Sequence, residues 1–137
     1  MYIAKVMSYK NAWERINEKY TPELNEILTG LNDLFPKNTP SPNMPDRITP
    51  REVWDGIMYA KDWQLSSNVV YSPEGTRINI NRLGPIKNGV SVTNPFGVFD
   101  TFSRWLFQQS TVAIKYGLIE IPVMIIPIRE FSRQADI

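Results

Sequence analysis

Eight residues near the C-terminus, IEIPVMII (119–126), constrain this chain more than any other stretch. Glu120 is their only polar member. A run so short and so apolar reads as a strand covered on both faces, because a strand with one wet face alternates polar and apolar residues. Such a strand needs other layers above and below it. The expected class is therefore α/β or α+β, a mixed β-sheet flanked by helices. Pro122 has no N–H to give to a ladder, which calls for an edge position or a bulge.

The rest of the chain supplies those layers. YIAKVM (2–7) reads as a short strand. Tyr9, Ala12, Trp13, Ile16 and Tyr20 recur at helical spacing. Thr21-Pro22 then restarts the pattern as an N-cap with Pro at the first helical position. Leu24, Ile27, Leu28, Leu31 and Leu34 or Phe35 form the next apolar face. PKNTPSPNMPDRITP is a loop, spanning 36–49 before Pro50. Thr49-Pro50-Arg51-Glu52 is a capping box that opens a third helix, with Val53, Trp54, Ile57 and Met58 facing inward and an end near Asp62. NVVY (68–71) and TRININ (76–81) read as strands about an SPEG turn, and GVSVTN (89–94) is expected to pair back on TRININ after the RLGP turn. A long helix over 98–116 would then lead into the final strand. Nothing divides the 137 residues, so one domain, 1–137, is expected.

The chain holds no His and no Cys. That removes Ser-His and Cys-His nucleophiles, imidazole acid–base relays, the usual zinc sites and disulfides. Carboxylates with Mg²⁺ stay open. A net charge of +1 gives no global field toward nucleic acid or an acidic membrane. MYIAKVMSYKN is too polar for a signal peptide and no apolar run reaches the ~20 residues of a span. A cytoplasmic protein with no membrane partner is expected.

MYIAKVMSYKNAWERI, with its short strand and helix, and KNGVSVTNPFGVFDTFSRWLFQQSTVAIKYGLIEIPVMIIPIREF, with its strand, helix and second strand, resemble the type II restriction endonucleases of the BglII group. The resemblance rests on the apolar pattern, the FG at 96–97 and the strand ending IIP, and covers most of the chain. It implies the PD-(D/E)XK nuclease fold, a restriction-endonuclease-like core. The group's signature is an acidic residue, a Glu nine positions on and a Gln two further, the two acids holding Mg²⁺. Carried onto this chain, the acid falls on Gly84, the Glu on Thr93 and the Gln on Pro95. The resemblance thus implies a nuclease framework with its metal ligands replaced. The loop after the motif, which helps to read bases in the group, is Gly97-Val98 here.

Other carboxylates bear on whether a site has moved. Glu14, Glu18, Glu23, Glu26, Asp33, Glu52, Asp55 and Asp62 fall mostly on expected solvent faces of helices. Asp100, at the first turn of the long helix, reads most simply as a capping residue. Asp100 and Glu120 are the two possible migrants into a rearranged metal site, with Glu74 a distant third. Arg77, Asn79, Arg82, Lys87, Asn88 and Asn94, with Asn81, cluster about the strands and suit a phosphate backbone, or simply solvate a polar face. Trp105 is offset from the Phe102–Leu106 stripe. Family members dimerise largely through helices, so the resemblance makes Trp105 the centre of a self-interface. Three functions stay open. One is DNA binding without cleavage and without a cofactor. Another is an interaction scaffold, a homodimer or a partner subunit of a nuclease. The third is a Mg²⁺-dependent endodeoxyribonuclease with a migrated site.

Overall fold

The computed structural model describes residues 5–34, 50–65, 68–80, 83–93 and 105–126. It is a mixed α and β structure. Three helices come first: α1 (Ala12–Lys19), α2 (Thr21–Leu34) and α3 (Pro50–Tyr59). Strands β1 (Asn68–Tyr71), β2 (Arg77–Ile80), β3 (Ile86–Lys87) and β4 (Val90–Val92) follow. A π-helical turn, Trp105–Ser110, runs directly into α4 (Thr111–Lys115), and β5 (Ile121–Val123) closes the series.

The strands form two sheets. β1 and β2 make an antiparallel ribbon, while β3, β4 and β5 form a three-stranded sheet with β4 central, antiparallel to β3 and parallel to β5. The expected pairing of 89–94 with 76–81 is thus corrected: β2 pairs with β1, and β4 with the short β3. Two turns explain the change. Ser72–Gly75 is a turn closed by Gly75 N–H to Ser72 C=O, with Gly75 at φ +84° and Ser72 N–H bonded to Thr76 C=O. This three-residue loop with glycine in the left-handed position joins antiparallel neighbours directly. Asn88-Gly89, at φ +50° and +83°, is a two-residue hairpin turn that returns Val90 opposite Lys87.

Side-chain alternation sorts the three-stranded sheet into two faces. Val90, Val92 and Ile121 pack with Ile16, Tyr20, Leu24, Ile27, Leu31, Leu34, Trp54, Met58 and Trp63, so α1–α3 cover one face. Ile86 and Ile119 pack with Ile80, Leu83 and Ala113, which sets β2 and α4 against the other. All three residues of β4, Ser91 included, are buried, as a strand between two layers requires. Gly30 lets α2 approach α3: a Cβ there would lie 3.1 Å from Met58 Sδ and 3.3 Å from the Trp54 ring.

β5 is shorter and wetter than IEIPVMII suggested. Its burial is partial after Ile121, and Ile126 is 61% exposed. The edge position expected for Pro122 holds, since β5 ends the sheet order among the described residues. Ile121 N–H bonds to Gly89 C=O and Thr93 N–H to Val123 C=O. Residues 121 and 123 therefore turn their peptide groups toward β4, and Pro122 turns away, so no ladder bond is lost.

Other expectations shift by smaller amounts. Tyr9 stands ahead of α1 and is exposed rather than packed. Residues 5–8 form no regular element; 2–4 lie outside the described residues. The Thr21 hydroxyl donates back to Asn17 C=O, tying the two helices across the break at Tyr20 instead of capping α2. The expected 98–116 helix is, where described, a π-helical turn and then α4; its residues 98–104 lie outside, as do the 36–49 loop and Thr49. Among the described residues no helix is long and apolar enough to cross a membrane.

Candidate functional site

The resemblance assigned the first metal-holding acid to Gly84. There the backbone sits at φ +88°, and an added Cβ would lie 2.1 Å from Val92 C=O and 3.7 Å from Thr93 Cα. Positions 84 and 93 are therefore side by side. Neither offers a carboxylate, and at 84 the backbone leaves no room for any side chain. Thr93 is buried, and its hydroxyl accepts Ile125 N–H at 2.9 Å. That bond extends the β4–β5 ladder past its last paired residue. Pro95 and Asp100 lie outside the described residues.

Glu120 looks toward α1. Its carboxylate accepts hydrogen bonds from the Tyr20 hydroxyl and from Lys19 Nζ at 3.4 Å, and pairs with the Arg15 guanidinium. Gly89 lies beside it, where an added Cβ would make only an ordinary contact, 3.7 Å, with the Glu120 Cβ. A carboxylate among two cations and a phenol is already neutralised. Among the described residues no three Asp, Glu, His or Cys side chains are grouped to hold a metal ion.

Two of the expected nucleic-acid contacts have internal partners. Alternation on β3 sends Lys87 to the same face as Val90, toward α2. Its ammonium donates to both Glu26 oxygens at 2.9 and 3.0 Å and to Lys61 C=O at 2.8 Å. Trp63 Nε1–H donates to the same carboxylate at 2.7 Å. Asn88 Nδ2 donates to Glu23 Oε1 at 2.7 Å. Glu23 is only 6% exposed, a correction to the solvent face expected of it. These bonds pin the 88–89 turn to α2 and orient the sheet on the helices.

No protein-family model, curated protein or solved structure matches this chain.

The remaining polar candidates meet on the ribbon. Its register sets Tyr71 opposite Arg77 and Val69 opposite Asn79. Ile78 and Ile80 turn inward to α4, so the odd-numbered residues form the outer face. Tyr71 is 64% exposed, and Val69, Arg77 and Asn79 are exposed with it. Because 72 and 76 form the bonded closing pair, 71–77 and 69–79 are the non-bonded pairs, where cross-strand side chains lie closest. An aromatic ring, a guanidinium and a carboxamide thus share one solvent-facing surface. Neither the Tyr71 nor the Val69 contribution was read from the sequence; the alternation of NVVY against TRININ, once paired, is the signal that finds them. Arg82 and Asn94 lie outside the described residues. Trp105 has only its backbone among them, at the start of the π-helical turn.

Proposed function

We propose that this chain is a restriction-endonuclease-like protein that binds DNA without cutting it, and that it lays the β1–β2 ribbon against the nucleic acid. The observation that carries this reading is the outer face of the ribbon, with Arg77 and Asn79 beside exposed Tyr71 and Val69. A two-stranded ribbon fits the major groove of B-DNA. On it, a guanidinium suits a phosphate or a guanine edge, a carboxamide suits an adenine edge, and a phenol ring suits stacking. Lys87 and Asn88 are engaged with Glu26 and Glu23 of α2 and are left out of this surface. Binding without cleavage is supported by the backbone at Gly84, which excludes a side chain where an acid would be needed to hold Mg²⁺.

Fluorescence anisotropy with duplex DNA over a salt series tests the proposal. Affinity should fall steeply with salt, and Arg77→Ala should weaken all sequences alike, lowering the log–log slope by roughly 0.9 for one lost phosphate contact. Absence of any complex at low salt and micromolar protein would sink the reading. The exposed apolar pair Val69 and Tyr71 favours a second reading, an interaction scaffold that forms a homodimer or joins a nuclease subunit. A monomer on a sizing column, with no captured partner, counts against that one.

A further inference from the structure

Behind the ribbon lies a groove of about 240 Å³ between β2 and the helical segment 105–115. Ile78, Asn79, Ile80, Gln108, Gln109 and Val112 line it. The hairpin register determines what the strand presents there. Ser72 N–H to Thr76 C=O closes the hairpin, so the bonded pairs are 70–78 and 68–80, and Asn79 belongs to a non-bonded pair. Its N–H and C=O therefore both point away from β1, and neither has a partner among the described residues. Across the groove, the side-chain carbonyl oxygen of Gln109 is buried and accepts no hydrogen bond among the described residues. A buried polar atom left without a partner costs about 1–3 kcal/mol, so an incoming donor would be favoured.

The Asn79 backbone and the Gln109 oxygen thus offer one donor and two acceptors beside aliphatic walls from Ile78, Ile80 and Val112. We propose that this groove holds one unstacked nucleobase whose exocyclic amino group neighbours a ring-nitrogen acceptor, as in adenine and cytosine. The amino group donates one hydrogen to Asn79 C=O and the other to Gln109, while Asn79 N–H donates to the ring nitrogen. Thymine has a carbonyl in place of that amino group and would set it against the two acceptors. The inference rests on the nucleic-acid reading above and names the part of the ligand that this surface would distinguish.

The test compares labelled single strands of equal length, oligo-dA, oligo-dC and oligo-dT, by fluorescence anisotropy at low salt. Oligo-dA and oligo-dC should bind about tenfold more tightly than oligo-dT, the discrimination of one well-formed polar pair set. Gln109→Leu should remove that preference and leave oligo-dT binding unchanged. Its melting temperature should not fall, since it replaces an unpaired buried amide with an apolar side chain of similar size. Equal, salt-dependent binding of all three strands would overturn the groove assignment while the DNA reading stands. If no strand or duplex binds, the DNA reading fails. The groove is then decided by free adenosine and cytidine against thymidine, read from the NMR shift of the Gln109 side-chain amide. A shift with the first two alone supports it, and no shift overturns it.

Discussion

Gly84→Ala is the most direct probe of how the three-stranded sheet is assembled. The residue sits at φ +88°, where an L side chain costs about 1–2 kcal/mol. The new Cβ would also meet Val92 C=O at 2.1 Å, against an ordinary contact of 3.4 Å or more. That oxygen belongs to the central strand and cannot swing aside as a side chain would. Separating the two by more than an ångström pulls Val92 N–H from Pro85 C=O, a bond of 3.1 Å next to a fully buried side chain. Exposing that pair adds about 2–4 kcal/mol, for a total of about 3–6 kcal/mol. A domain of this size holds only about 5–15 kcal/mol. Gly75→Ala is the matched control: at φ +84° it carries the same dihedral cost, yet nothing lies within 4 Å of the added Cβ. Urea unfolding followed through buried Trp54 and Trp63 should show the Gly84 variant at least about 2 kcal/mol less stable than the Gly75 variant. If the two variants unfold within about 0.5 kcal/mol of each other, the close approach of 84 to 92 is wrong. The exclusion of an acid at that position would then be wrong as well.

Two further outcomes follow from internal pairs. Lys87→Met should destabilise the fold by about 1–3 kcal/mol, because it leaves the Glu26 carboxylate and Lys61 C=O without their cation. A double-mutant cycle with Glu26→Gln measures the coupling, and the salt slope of DNA binding should not move; an unchanged stability with a reduced slope would make Lys87 a phosphate contact instead. Burial pushes the Asp55 carboxyl above its ordinary value of 3.8, with Glu52 adding to the rise and Arg51 opposing it. The folded state thus holds this proton after the unfolded chain has lost it, so stability falls as pH rises from 3.8 through the raised value. Asp55→Asn should remove that loss, so its advantage over the parent in urea midpoint grows from acid pH toward neutrality; a constant difference would refute it.

The helical layer was legible because its signal is local. Ile27, Leu31 and Leu34 recur at the alternating four- and three-residue intervals of one helix face, and the same residues are buried in the structure. Trp54 and Met58 follow the same rule on α3. The strand pairing was harder. TRININ alternates equally well whichever neighbour it takes, so periodicity alone could not choose between NVVY and GVSVTN. The dipeptide Asn88-Gly89, flanked by Ile86 and Val90, was the available signal for the β3–β4 hairpin and outweighs the alternation. The polar cluster was not legible at all. Glu23 and Glu26 look like ordinary surface acids until β3 brings Lys87 and Asn88 to them from more than sixty positions away. The candidate surface was half readable: Arg77 and Asn79 stood out by charge and alternation, whereas Tyr71 became part of it only through the register with β1.

Pro122 also bears on how these molecules behave when crowded. Among the described residues the outward side of β5 is unpaired and lacks a donor at its middle residue, so a stray chain laid along it finds a gap in the hydrogen-bonding row. Edge-to-edge pairing of identical copies is therefore disfavoured at that residue. A nearly continuous apolar stretch, the feature most prone to seed fibres in this chain, thereby carries its own stop.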